Sequence, residues 1–197
     1  MMAATSVLRI AIAVLASTAL ATTGVAQNTG DSPPVVQGRA QDETARMADL
    51  SWRVGALDGR TFELRELRGR TLFVNVWATW CRPCIAELGS IARLRDSLRG
   101  VPVEFVLVAP ERRATVSRFV RRSRLALPVY VEMSPIPESY GLAAVPTTFI
   151  VAPDGRIILA HRGAARWDRP DVVALVRRVA REASPVRSPS RPAPAAR

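Results

Sequence analysis

Residues 71–77, TLFVNVW, form a nearly continuous apolar run rich in aromatic and β-branched side chains. Such a run predicts a strand buried on both faces. Immediately after it the period changes from two to about three and a half. Ile85, Leu88, Ile91, Leu94 and Leu98 recur every three or four positions, which predicts an amphipathic helix beginning near Pro83. Proline suits a first helical turn, because its missing N–H would have had no partner there. A second buried strand is predicted at VEFVLVA (103–109), a helix over 114–124, and a short strand at LPVYVE (127–132). The runs TTFIVA (147–152) and RIILAH (156–161) flank Pro153-Asp154-Gly155 and read as a hairpin. A final helix is predicted over 169–183, with Asp168 as its cap, Pro170 near its start and Val172, Leu175, Val176 and Val179 as its apolar stripe. Ahead of all these, WRVGALDGRTFEL (52–64) reads as two extended pieces about an Asp58-Gly59 turn. Alternating strands and helices ending in a hairpin and helix predict an α/β fold with a mixed sheet.

The ends of the chain stand outside that pattern. Residues 1–26 have one positive charge, a short apolar core (10–21) and a small-residue end, the layout of a secretory signal peptide. The apolar core is shorter than the ~20 residues a membrane helix needs. An uncleaved N-terminal anchor that tethers the protein to the membrane is the alternative. Residues 27–46 are rich in Pro, Gly and polar residues and read as a flexible linker. Residues 184–197 contain only Pro, Ser, Ala, Val and Arg, a composition that cannot bury a core and predicts a disordered tail. One domain is left, 47–183.

Charge changes the picture less than its size suggests. The net charge is +11, and every one of the 28 basic residues is arginine. A basic domain often meets nucleic acid, but an exported protein does not, so nucleic acid is excluded and acidic proteins or anionic lipid are the matching partners. The densest cluster, ERRATVSRFVRRSR (111–124), holds six arginines. It is read as the solvated face of a helix whose Val116, Phe119 and Val120 point inward.

Both cysteines of the chain, Cys81 and Cys84, lie in one stretch, VNVWATWCRPC (74–84). Three uses compete. A structural disulfide three positions apart closes so short a loop that it stabilises by only roughly 2 kcal/mol. A zinc site needs four ligands as a rule, and the chain offers two cysteines and a lone His161, read as an ordinary surface or edge residue. Copper held by the two sulfurs is the remaining metal option. The third use is thiol–disulfide exchange. Cys81 sits where a helix N-terminus, with free N–H groups and partial positive charge, stabilises a thiolate. Arg82 adds full charge beside it. On this reading Cys81 is the exposed attacking sulfur, and Cys84, further in, resolves the mixed disulfide.

At these residues the chain resembles a known family. TLFVNVWATWCRPCIAELGSI (71–91) is similar to the active-site segment of the TlpA/ResA/CcmG group of thioredoxin-like, extracytoplasmic thiol–disulfide oxidoreductases. YGLAAVPTTFIVAPDGRIILAHRGA (140–164) resembles that group's second half. The resemblance implies a thioredoxin-like fold, a redox-active pair and no bound cofactor or metal. It implies that Pro146 is cis and faces the disulfide, leaving the backbone of Val145, Pro146 and Thr147 to receive an extended substrate. Where thioredoxin has a buried Asp this chain has Asn75, which cannot take a proton from Cys84. The resemblance puts that duty on Glu87; the ordinary reading of Glu87 is an exposed glutamate favoured by the helix dipole. Trp80, Arg82, Pro83 and Asn75 are expected to support the site, and Trp77 to be core. Gly89 stands where the group often has proline, so a bend there would misplace Glu87. The resemblance also implies the partners: exported proteins carrying C-x-x-C disulfides, such as apocytochrome c or copper-site proteins of respiratory oxidases, and a membrane thiol donor. Two other functions fit the same residues, a copper- or partner-binding module without turnover and an oxidant that introduces disulfides.

Overall fold

A computed structural model of the chain describes residues 46–181. The expected signal peptide or anchor, nearly all of the linker, and the tail lie outside the described residues.

The strand predicted to be buried on both faces is β3 (Thr71–Val76), and all six of its residues are buried. Its alternation divides the core in two. Phe73 joins the cluster beneath the helices, with Phe105, Leu107, Val129, Val131, Ile150 and Leu159 from neighbouring strands. Leu72, Val74 and Val76 point to the other face, with Val106, Val108, Phe149 and Val151. A residue shift of one along β3 would exchange the two sets, so the register is fixed by burial on both sides.

Around β3 the sheet has seven strands. The others are β1 (Arg53–Ala56), β2 (Thr61–Glu63), β4 (Val103–Ala109), β5 (Val129–Glu132), β6 (Thr147–Val151) and β7 (Ile157–Arg162), in the order β2-β1-β5-β4-β3-β6-β7. β3, β4 and β5 run parallel, and the remaining pairs are antiparallel. The helices α1 (Arg82–Ser97) and α2 (Arg113–Ser123) make the two crossovers. Both crossovers step across the sheet in the same direction, and right-handed connections then place both helices on one face. Their buried residues, Leu88, Ile91, Leu94 and Val116, share the first core with Val172, Leu175, Val176 and Val179 of α3 (Pro170–Arg181). Among the described residues no long helix covers the opposite face. Ala48, Leu50 and Trp52, Leu64 of a short 3-10 turn (Leu64–Leu67) and Tyr140 of a second (Glu138–Tyr140) cover it. The Trp52 ring meets Tyr140 at 5.2 Å and a tilt of 55°, and Tyr140 meets Phe149 edge-on at 5.1 Å.

The arginine cluster takes the solvated arrangement expected of it. Val116 is buried, Phe119 and Val120 are half-buried against the core, and Arg118, Arg121, Arg122 and Arg124 are exposed. Asp168 departs from its expected place as a cap. Proline opens α3 at position 170, so Asp168 stands one residue too early, and its carboxylate accepts instead from Arg93 Nε of α1 at 2.7 Å. That pair ties the entry of α3 to α1. α1 runs unbroken through Gly89, which is exposed, and Glu87 is held buried on it. Ile91 is fully buried on this helix. Ile91→Val should cost about 1 kcal/mol in urea unfolding, the usual loss for one buried methylene; no loss would mean that α1 is not pinned by this stripe.

Candidate active site

β3 delivers the chain to the carboxyl edge of the sheet, and a tight turn reverses it into α1. Trp77 N–H still donates to Val108 O at 3.1 Å, and Cys81 N–H donates back to Ala78 O at 3.1 Å. Cys81 is therefore the residue that caps α1, in extended conformation, and its sulfur accepts the Cys84 N–H at 3.2 Å. The first turn of the helix contains no acid to offset its positive end. Arg82 and Pro83 occupy that turn and are exposed. Cys81 and Cys84 are joined in a disulfide. Cys84 is fully buried as expected, but Cys81 is only 5% exposed, less than an attacking sulfur in the open would be. The cause is the loop before β6, whose Val145 carbonyl lies 3.9 Å from Cys81 Sγ. The Val145–Pro146 peptide is cis, and Val145 is half-buried. Trp80, 71% exposed, and Ile85 are exposed apolar side chains next in sequence to Cys81 and Cys84.

Glu87 is not the exposed helix glutamate of the ordinary reading: it is buried, one turn after Cys84 on α1. Asn75 Nδ2 donates to its Oε1 at 2.9 Å. Ala165 N–H at 3.1 Å and Trp167 Nε1–H at 2.8 Å both donate to Oε2. Burial pushes the carboxyl up to about 7, against the pull of these three hydrogen bonds toward the ionised form. Asn75 also donates to Thr148 Oγ1 at 2.9 Å, so it bridges β3, β6 and α1. A buried carboxyl that titrates near neutrality can take up and release a proton at physiological pH.

Three residues that the sequence did not single out complete the arrangement. Trp167 and Ser90 belong to the frame of Glu87: Trp167 N–H donates to Ser90 Oγ at 3.2 Å, and Ser90 Oγ–H donates to Glu87 O at 2.8 Å. Glu111 accepts from Thr79 N–H at 2.7 Å and from Thr79 Oγ1 at 2.8 Å, fixing the loop just before Trp80. Glu111 was legible only as the acid that opens the arginine cluster, and nothing local marks Trp167. Thr147 has a buried side chain, and its hydroxyl donates to Ala144 O at 2.6 Å. The hydroxyl thus secures the loop rather than facing outward.

His161 lies on an edge strand, as one half of the expectation had it, since β7 ends the sheet, but it is buried rather than at the surface, and the Trp167 ring meets it edge-on at 5.5 Å. Burial holds its pKa below the ordinary value. Among the described residues no group of three or more His, Cys, Asp or Glu side chains is placed to hold a metal ion, and no helix is long and apolar enough to cross a membrane.

Comparison with known proteins places this geometry. Residues 41–160, more than half of the chain, match the AhpC/TSA family. A thiol-disulfide oxidoreductase ResA of Halalkalibacterium halodurans is 36% identical over 109 residues, which cover 54% of this chain and 62% of that protein. The chain therefore matches less than two thirds of the relative's length. A crystal structure of a thiol:disulfide interchange protein of the thioredoxin family from Chlorobium tepidum superposes with a TM-score of 0.54 at 21% identity, covering 78% of this chain and 98% of that one. A crystal structure described as a thiol-disulfide oxidoreductase from Bacteroides vulgatus gives 0.60 at 20% identity, covering 70% and 99%. The fold is thioredoxin-like, and the resemblance read from residues 71–91 holds.

Proposed function

This chain belongs to the AhpC/TSA family, and from that membership we propose that it is an extracytoplasmic thiol–disulfide oxidoreductase that reduces disulfides in exported proteins. The observation that carries the reading is the Cys81–Cys84 disulfide at the open end of α1, flanked by the Val145 carbonyl and cis-Pro146.

In the reduced protein, the Cys81 thiolate is favoured by the Cys84 N–H, by the helix N-terminus and by Arg82. It attacks one sulfur of a substrate disulfide, forming a Cys81–substrate bond while the other substrate sulfur leaves as a thiolate. Glu87, ionised, accepts the proton of Cys84 directly or through water. The Cys84 thiolate then attacks Cys81, which regenerates the disulfide seen here and frees the second substrate thiolate. Two electrons pass to the substrate; Glu87 returns the Cys84 proton to one substrate thiolate, and the other is protonated by solvent. A thiol donor at the membrane restores the dithiol. The backbone beside Pro146 receives the substrate as an added strand, with Val145 as the principal contact. The family resemblance makes C-x-x-C disulfides of apocytochrome c or of copper-site proteins the proposed substrates.

The test is reduction of insulin by the full chain, followed by the reduction potential of the pair. A potential near or below roughly −230 mV supports a dedicated reductant. One near about −120 mV, where strong oxidants lie, reverses the direction of flow and makes the protein a disulfide donor. Stoichiometric Cu(I) binding through both cysteines with no insulin reduction would replace the enzyme with a copper-binding module.

A further inference from the structure

We propose that Trp167 is a positioning residue that holds the Glu87 carboxylate and thereby sets the acid limb of the exchange reaction. The proposal rests on the proton-transfer role given to Glu87 above.

The argument begins with what each donor around Glu87 can do when the carboxyl gains a proton. Asn75 can turn its amide and present oxygen instead of nitrogen, and its Oδ1 is buried with no hydrogen-bond partner among the described residues. The indole of Trp167 has no such freedom, since its Nε1–H donates and never accepts. It is also fully buried and held on every side. Phe73 meets its ring at 5.2 Å and 86°, His161 at 5.5 Å and 85°, and the backbone N–H of Trp167 donates to Ser90 Oγ. A fixed donor 2.8 Å from Oε2 favours the anion and resists the neutral acid. Ala165 N–H supports the same oxygen from the same loop. Residues 165–168 therefore grip α1 at Glu87, Ser90 and Arg93, three positions on one helical stripe.

Few other charges reach the site. From β3 it is faced by Asn75, from β6 by Thr148, from β7 by His161, and from α1 by Ser90 and the disulfide-bonded Cys84. Arg93 and Asp168 form a pair at its outer edge, with Arg166 beside them. Burial holds the His161 pKa below its ordinary value, so the imidazole tends to the neutral form where a free histidine would still carry charge. Removing the indole N–H removes one of the three hydrogen bonds that oppose burial. The Glu87 carboxyl must then bind its proton more tightly, and the pH below which Cys84 has no base must rise.

The experiment uses two replacements, Trp167→Phe and 3-benzothienylalanine at position 167, the latter keeping the shape of the indole without its N–H. The Glu87 carboxyl is titrated by carbon NMR in the oxidised protein, and reduction of a disulfide peptide is followed against pH in the reduced protein. Both replacements should raise the Glu87 midpoint by about one pH unit and move the acid limb of the rate upward equally. In a Glu87→Gln background Trp167→Phe should leave the pH profile unchanged. A Glu87 midpoint that stays put in both replacements overturns the proposal. A midpoint that moves while the rate profile does not overturns the role of Glu87 itself, and an unaltered profile in Glu87→Gln alone does the same without involving Trp167.

Discussion

Cys81→Ser abolishes insulin reduction, with a loss on the order of a thousandfold or more, the scale on which removing a nucleophile acts in other covalent catalysts. Cys84→Ser should be equally inactive in turnover but for a different reason. Cys81 still attacks, but nothing on this chain resolves the product, and a mixed disulfide with the substrate accumulates. The asymmetry follows from placement. Cys81 caps α1 and receives the Cys84 N–H, while Cys84 is wholly enclosed and can reach only Cys81. Non-reducing electrophoresis after mixing with oxidised substrate checks it. Trapping by Cys81→Ser rather than by Cys84→Ser would exchange the two roles, and trapping by neither would remove exchange chemistry from the site. The trapped adduct from an extract of exported proteins also identifies the substrate directly.

The second large effect concerns stability. Glu87→Gln should change stability by an amount that grows with pH. Burial raises the Glu87 carboxyl from 4.5 to about 7, so the folded state holds this proton more tightly than the unfolded chain does. Stability from this group is complete below about pH 4.5 and is lost as pH rises through about 7, after which the loss is constant. The loss over that window is about 3 kcal/mol. Glutamine never ionises, so it escapes the loss. Its amide nitrogen would face Asn75, whose amide can turn to offer the oxygen that lacks a partner among the described residues. Urea unfolding of both proteins at pH 4.5, 6 and 8 gives the result as a difference. Taking the difference removes His161, which acts in the opposite sense: its folded pKa is depressed, so it costs stability as pH falls below about 6.5. A difference that is the same at all three values would show that Glu87 is not held as a buried, proton-binding group.

Much of this was carried by local pattern. The buried run at 71–77, the switch to helical spacing at Pro83 and the hairpin about Asp154-Gly155 depend on near neighbours, and each appears where the sequence put it. The cysteine pair was legible too, since its chemistry follows from a strand-to-helix join that the pattern locates. Spacing also placed Glu87 on the same helix as Cys84. It could not decide whether that helix face met water or protein, because burial depends on what packs there. The packing partners come from remote segments: Asn75 from β3, and Ala165 and Trp167 from a loop almost eighty positions further on. The burial of His161 was missed for the same reason, since a histidine on an edge strand looks exposed until Trp167 covers it. Asp168 was assigned to its own helix, while the nearest arginine in space belonged to α1. Hydrophobic period and turn chemistry are short-range and survive in the sequence as written. Desolvation and the donors that answer it are set only when distant strands, helices and loops close on one carboxylate, and at Glu87 that closure raised its pKa.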